Sequence, residues 1–377
     1  MASKRKIRVG VLFGGRSAEH EVSLVSGASV MKALDKKKYD VVPIGITKDG
    51  RWIIGPRVLT LLKSGANIPE NLRALLPPEP SSRGLVPITQ NQKSKIKNQK
   101  VDVIFPVLHG PFGEDGTVQG LLELTGIPYV GAGVLGSSLG MDKISQKKIF
   151  LTAGIPTPKF AYITSADFRR TGSRFLKRVQ HDVGWPCFVK PSNMGSSVGI
   201  TKVKNIKQLG TAIKIAMKYD RRIIVEQGIR DALEIECAVL GNDNPRASVP
   251  GQIISSNEFY DYDAKYVDGQ SKAKIPAPLP KLVAEKVREY AVTAFKALDL
   301  AGMARVDFLV TKHGNIYISE VNTIPGFTSI SMYPKLWGAT RLPYAKLLES
   351  LIELALERTQ VKNKLSTSYQ PKKQWHR

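Results

Sequence analysis

The chain holds only two cysteines, Cys187 and Cys237, in 377 residues. Each sits in an apolar, strand-like run, which excludes a disulfide framework or a cysteine-built zinc site and reads as buried thiols in a reducing compartment. The first residues lack the apolar core of a signal peptide. The longest uncharged stretch, residues 124–141, is broken by five glycines and Pro128. It is expected to form turns and short strands rather than a membrane span. The phosphate-loop spacing GxxxxGK[ST] is missing as well. The expected location is the cytoplasm, without membrane attachment.

Acidic residues are also scarce: 32 Asp and Glu stand against 56 Lys and Arg, a formal charge of +24. Residues 1–8, 81–100 and 360–377 hold four, five and five basic residues with no acid, so flanks and one loop account for +14 of the excess. The rest of the chain is moderately basic and offers no nucleic-acid motif, so no specific nucleic-acid partner is expected. Such a field would attract an ATP-like anion. A hydrophobic content of 42% and this length suit two or three globular domains.

The run KIRVGVLF, residues 6–13, ends in Gly14-Gly15 and leads into helical spacing, the opening of a doubly wound α/β domain. Glu19 and Glu21 fall at that helix start, where the dipole stabilises carboxylates. Strands are expected at 39–46 and 101–108, with residues 56–100 a variable loop region. His109-Gly-Pro-Phe-Gly-Glu-Asp-Gly follows the second strand at its carboxyl end, where open α/β sheets bind ligands. His109 there is either structural or part of a polar site with Glu114 and Asp115. From residue 141 short strands alternate with basic amphipathic helices, as in a smaller second domain. Lys190-Pro-Ser-Asn-Met-Gly-Ser-Ser-Val-Gly reads as a lid-type loop rich in backbone donors. Residues 258–268 are dense in Tyr and Asp with one Lys, 282–298 form a packing helix, and a helix over 342–357 precedes a basic tail from about 359.

Residues 303–332 read as two strands joined by a tight turn at His313-Gly314. A turn centred there sets Asp307 against Glu320 and Arg305 against Asn322, on one face with Leu309 and Ile318. Facing carboxylates repel unless a positive charge intervenes. Arg305 supplies part of it, and a hard cation such as Mg²⁺ would supply the rest and take Asn322 as well. A salt-bridged surface hairpin is the plainer alternative. The small-residue loop 322–329 that follows favours a metal–phosphate site.

Taken in order, GVLFGGRSAEHEVS, HGPFGEDGTVQG, GMDK, FVKPSNMGSSVGI, FYDYDAKY, ARVDF and SEVNTIPGFTSISMYP resemble the D-alanine–D-alanine ligase family of ATP-grasp enzymes, from about residue 6 to 357. The resemblance implies a doubly wound domain (1–140), a central ATP-grasp subdomain (141–228), a C-terminal ATP-grasp subdomain (229–358) and a basic tail (359–377). It implies a D-alanyl phosphate route to D-alanyl-D-alanine for peptidoglycan precursors, with ATP and two Mg²⁺ ions, or Mn²⁺, held by Asp307, Glu320 and Asn322. By the same resemblance Lys143, Lys190 and Lys265 contact phosphates, Glu226 and Glu234 bind the adenine amine and ribose, and Phe259 packs on adenine. Glu19 holds the first D-alanine's ammonium, His109 lies near its carboxylate, and Ser196 and Tyr266 form a network with Glu19. Arg305 and the Gly326 N–H meet the oxyanion, and Ser331 holds the second D-alanine. A homodimer is expected. The segment before Glu234 is one residue longer than the family's, which leaves Glu234 and Glu236 both open as the ribose ligand. Other readings are an ATP-grasp ligase with a different acceptor, or a basic nucleic-acid-binding protein that has kept the fold.

Overall fold

The computed structural model describes residues 5–88, 98–254, 272–328, 330–366 and 368–369. The chain opens with β1 (Ile7–Gly14), α1 (His20–Ala33), β2 (Tyr39–Ile46), β3 (Trp52–Ile54), α2 (Val58–Ser64), β4 (Ala74–Leu75), β5 (Gly84–Pro87), β6 (Gln99–Lys100), β7 (Val103–Pro106), α3 (Thr117–Thr125) and α4 (Val134–Met141). Its main sheet runs β3-β2-β1-β7, with β1 parallel to both β2 and β7. The apolar run of β1 is buried on both faces, as a central parallel strand requires.

Two local expectations fail here. The described part of 56–100 is not mere loop: it holds α2 and a small β4-β5-β6 sheet. Residues 124–141 form turns as expected, but in place of strands they hold a single parallel bridge from Tyr129 to Ile104, the end of α3 and the whole of α4. The glycines of α4 are contact points rather than breaks. A Cβ at Gly136 would lie 2.5 Å from the Asp299 carbonyl oxygen, and one at Gly140 2.3 Å from the Thr323 methyl.

The middle of the chain contains α5 (Lys143–Thr152), β8 (Phe160–Thr164), α6 (Ser165–Asp182), β9 (Cys187–Pro191), β10 (Thr201–Val203), α7 (Ile206–Ala216) and β11 (Arg222–Gln227). The strands make an antiparallel sheet, β10-β9-β11-β8. Phe175 and Val179 of α6 and Leu209 and Ile213 of α7 cover it, packed with Cys187 and Val189. Helix α5 packs elsewhere: its Phe150, with Ile155 just after the helix, lies in the core of the next unit.

That unit comprises β12 (Leu233–Gly241), β13 (Arg246–Ala247), β14 (Gly251–Ile254), β15 (Lys272–Lys274), α8 (Lys281–Ala297), β16 (Gly302–Val310), β17 (Ile316–Asn322), α9 (Met332–Ala339) and α10 (Tyr344–Lys362). Its antiparallel sheet has the path β15-β14-β12-β16-β17, with β13 on β12. Val287, Ala291 and Phe295 of α8 bury one face against Val306 and Phe308. Tyr333, Trp337, Leu347 and Leu351 carry the core across to Val9, Val11 and Phe13, joining the last helices to the first sheet. The final helix continues to Lys362, past the expected tail boundary at 359. Its end is anchored: Arg358 donates to the carbonyls of Gly131 at 2.6 Å and Tyr129 at 3.2 Å, and Lys362 pairs with Glu123.

The hairpin β16–β17 pairs Arg305 with Asn322 and Asp307 with Glu320, as the strand pattern indicates, but by a different route. Thr311 and Asn315 close a loop of three residues, Lys312 to Gly314, with Gly314 at φ +80°. Near that loop Leu309 faces Tyr317 and Phe308 faces Ile318. Ser319 is then an extra residue, a β-bulge that shifts the register by one before Glu320. Ile318 therefore lies on the buried apolar side, not beside Leu309 as a two-residue turn implied.

Candidate active site

Three carboxylates line up across adjacent strands. Glu236 of β12 faces Asp307 of β16, and Asp307 faces Glu320 of β17. Arg305, one step along the same face, donates twice to Asp307, Nε to Oδ1 at 2.8 Å and Nη2 to Oδ2 at 2.7 Å. It also reaches Glu236 at 3.2 Å. Asn322 Nδ2 donates to Asp307 Oδ2 at 3.0 Å. Burial works against the Arg305 charge, but Asp307 and Glu236 outweigh it and hold the guanidinium firmly protonated. Glu236 is thus committed to Arg305. Glu234, opposite Leu309 on the same face, lies within electrostatic reach of Lys190.

Among the described residues no group of three or more His, Cys, Asp and Glu is gathered as a metal cage. The donor chemistry nevertheless fits Mg²⁺: two carboxylates in register and an amide are hard oxygen ligands, and phosphates complete such sites.

Opposite this row stand lysines. Lys143 Nζ lies 3.6 Å from Glu320 and donates to the Met194 carbonyl at 2.8 Å, so it bridges the carboxylate row and the serine-rich loop. Asp142 caps α5 through the Ser145 N–H and binds Ser192, Asn193 and Arg222. Burial raises its pKa, but these hydrogen bonds and Arg222 win and hold it low. Lys190 and Lys147 share Glu226, at 2.5 and 2.8 Å. Burial opposes the Glu226 charge, yet the two lysines bring its pKa down to about 2. Lys147 is 1% exposed, a burial that the sequence does not signal. A lysine in a basic helix reads as solvated, and no local signal marks it otherwise.

Glu19 sits at the start of α1, buried, and accepts a hydrogen bond from Ser196 Oγ. The carboxylate is gripped by two glycine turns: a Cβ at Gly110 or Gly195 would lie 2.6 or 2.7 Å from its Oε2. A cavity of about 280 Å³ opens beside it, lined by Arg16, Glu19, Phe112, Met194 and Ser196 among others. The expected contact of Glu19 with Ser196 is therefore present. Phe259, Lys265 and Tyr266 lie outside the described residues.

The loop carrying Gly326 is held at several points. His109 Nδ1–H donates to the Ile324 carbonyl at 3.1 Å, and its Nε2 accepts from Ser26 Oγ, 3.2 Å away. Burial lowers the His109 pKa, consistent with this neutral tautomer. Both ring nitrogens are thereby engaged with the protein, so His109 ties the loop that carries Gly326 to α1. Glu114 accepts from the Gly110 N–H at 2.7 Å and the Ile324 N–H at 3.0 Å. Burial and then the charge of Glu19 push its pKa up to about 8. Phe327 anchors the loop edge-on to Phe105, 5.7 Å between centroids, and packs on Tyr333. Truncating such a buried ring costs about 3–5 kcal/mol. Ser331, at the N-terminus of α9, accepts from the Thr328 N–H at 3.0 Å.

Comparison with known proteins agrees with this geometry. The family model described as the N-terminus of D-ala D-ala ligase matches residues 8–132, and that of the C-terminus matches 149–353. A D-alanine–D-alanine ligase of Thermoanaerobacter sp. (strain X514) is 52% identical, covering 93% of this chain and 97% of its own. One from Natranaerobius thermophilus is 48% identical over 97% of this chain and 99% of its own. Among solved structures, a D-Ala:D-Ser ligase from Enterococcus faecalis superposes with a TM-score of 0.82 at 38% identity, covering 93% of this chain and 100% of that one. The D-alanine–D-alanine ligase of Coxiella burnetii gives 0.81 at 36%, covering 96% and 97%. The expected α/β architecture, a doubly wound domain followed by a two-part ATP-grasp unit, is the one these neighbours have. The chain belongs to the D-alanine–D-alanine ligase family.

Proposed function

We propose that this chain joins two D-alanines with ATP, giving D-alanyl-D-alanine for cell-wall precursors. The observation that carries the reading is the pairing of two walls of opposite charge: Glu236, Asp307 and Glu320 on one side, Lys143 and Lys190 on the other. Phosphoryl transfer is catalysed mainly by positioning and charge neutralisation. Lys143 and Lys190 would bind ATP phosphates, Lys190 by exchanging Glu226 for them. Lys265 would join them from the segment outside the described residues, and Phe259 would pack on adenine. Glu226 retains lone pairs for the adenine amine, and Glu234 would bind the ribose. Asp307, Glu320 and Asn322 would hold two Mg²⁺ ions, or Mn²⁺, which neutralise phosphate charge when bound.

Glu19 would take the first D-alanine's ammonium in the cavity beside it, with Ser196 and Tyr266 orienting the carboxylate. Arg305 must then leave one of its two carboxylate partners to meet the oxyanion formed when the second amine attacks the acyl carbon. The Gly326 N–H is the second donor, and preorganised donors of this kind are worth a few kcal/mol. Ser331 would hold the second D-alanine's carboxylate. The loop sequence Asp263-Ala264-Lys265-Tyr266 favours an amine acceptor.

Purified protein with ATP and Mg²⁺ is expected to release ADP only when D-alanine is added, and to form the dipeptide. L-alanine should not support turnover. Preference for D-serine as acceptor would instead favour the reaction named for the Enterococcus neighbour. The chain is expected to act in the cytoplasm as a homodimer. No described helix is long and apolar enough to cross a membrane, and light scattering at the monomer mass would refute the dimer.

A further inference from the structure

The β-bulge at Ser319 decides where Glu320 points. On the loop side of the bulge the partners are Phe308 and Ile318, and in that register Asp307 would face Ser319. Side chains alternate along a strand, so carrying that register on through Ser319 would turn Glu320 and Asn322 to the apolar side. A bulge also breaks the ladder and leaves peptide groups to be satisfied otherwise.

β17 is also the edge strand of its sheet, and on its free edge the peptide groups of Ile318 and Val321, on either side of the bulge, are met by α5 and the loop after it. Lys147 Nζ donates to the Ile318 carbonyl at 2.9 Å. The Ile318 N–H donates to the Pro156 carbonyl at 2.8 Å. Gln146 Oε1 accepts from the Val321 N–H at 3.0 Å, and Gln146 Nε2 donates to the Val321 carbonyl at 3.3 Å and to that of Gly140. Gln146 and Lys147 are 2% and 1% exposed, so neither hydrogen-bonds to bulk water. Lys147 also pairs with Glu226, which places one ammonium between the metal-facing strand and the other wall of the cleft.

We propose that Gln146 and Lys147 are positioning residues that hold the Ser319 bulge and thereby set Glu320 and Asn322 beside Asp307 for the divalent cation. This rests on the metal reading given above. Neither side chain reaches the reacting atoms. Their effect runs through the register of β17.

The test is a titration of Mn²⁺ into the ADP-bound full chain, followed by electron paramagnetic resonance, in Gln146→Met, Lys147→Arg and Glu320→Gln. Loss of a supporting partner typically weakens metal affinity about 10–100-fold, and Gln146→Met should fall in that range. Metal-free ADP affinity should be unchanged, and amide exchange at Ile318 and Val321 faster. Lys147→Arg keeps the charge on Glu226 and should lose less. If Gln146→Met does not fold, Lys147→Arg carries the same test, and parent Mn²⁺ affinity in it would overturn the proposal. Faster exchange with parent Mn²⁺ affinity in Gln146→Met would reduce the residue to a structural support and overturn it too. Glu320→Gln separates the two failures. If it binds Mn²⁺ as the parent does, the metal assignment falls and takes this inference with it. If it alone is weakened, only the role of α5 falls.

Discussion

The central sheet and the C-terminal sheet are both antiparallel, but the segments that carry them differ in charge, one strongly basic and one close to neutral. Residues 141–228 hold 17 Lys and Arg against five Asp and Glu, whereas residues 229–358 hold 15 against 16. The basic excess outside the flanks therefore falls in residues 141–228, where exposed lysines and arginines of α6 and α7 add to the few lysines at the site. Within the acidic sheet the carboxylates form a row with one arginine for local neutralisation. The basic wall instead buries Lys147 and Lys190 on a single carboxylate. One wall is short of cations and the other of anions, which is the pattern expected where a metal–nucleotide complex belongs between them.

Asp307→Asn should break the acidic side most severely. A loss of about a thousandfold in kcat, roughly 4 kcal/mol of transition-state stabilisation, is expected. Folding should be kept, because Glu236 still faces Arg305; unchanged turnover would refute the metal role.

Lys147→Met attacks the basic side. Breaking a buried pair typically costs about 3–5 kcal/mol of stability, measurable by urea unfolding, and Glu226→Gln in the same chain should recover part of it. The pH dependence follows from the depressed Glu226 carboxyl. Its stabilising effect is present above the ordinary carboxylate range and is lost as pH falls towards about 2. With Lys147 gone the acid limb should move to higher pH.

Glu114 has the opposite sign. Its carboxyl is raised to about 8, so the folded state holds a proton that the unfolded state has released. Stability should decline as pH rises from about 5 to 8, by at most about 1.4 kcal/mol per unit. Glu114→Gln should flatten that slope, and an unaltered slope would remove Glu114 as its source. The smallest effect is expected for Ser331→Ala, about tenfold in KM for the second D-alanine, the worth of one hydrogen bond of about 1.4 kcal/mol. An effect on kcat alone would contradict that placement.

The two walls also differ in how far the sequence reveals them. The acidic row was readable because strand alternation fixes faces: Arg305, Asp307, Glu320 and Asn322 fall together as the pattern requires. The turn has one more residue than the two-residue pattern implies, and Ser319 supplies the bulge that compensates for it. Neither is encoded by periodicity. The basic wall was half hidden. Lys143 and Lys190 stand in recognisable motifs, but Lys147 acquires its role from α5 wedging against Glu226, 79 positions along the chain. Glu236 and Glu234 share one face of β12, and the contact of Glu236 with Arg305 comes from a neighbouring strand that the sequence alone does not set beside it. His109 can be read either way from the sequence, and its two ring hydrogen bonds, to Ser26 and Ile324, come from segments far from it in the chain.

Isotope transfer from D-alanine labelled with ¹⁸O in its carboxylate tests the central claim most directly. Attack of that carboxylate on the γ-phosphorus, followed by expulsion of phosphate by the second amine, predicts one ¹⁸O in each phosphate released with the dipeptide. Unlabelled phosphate, or ADP release that does not depend on D-alanine, would contradict it.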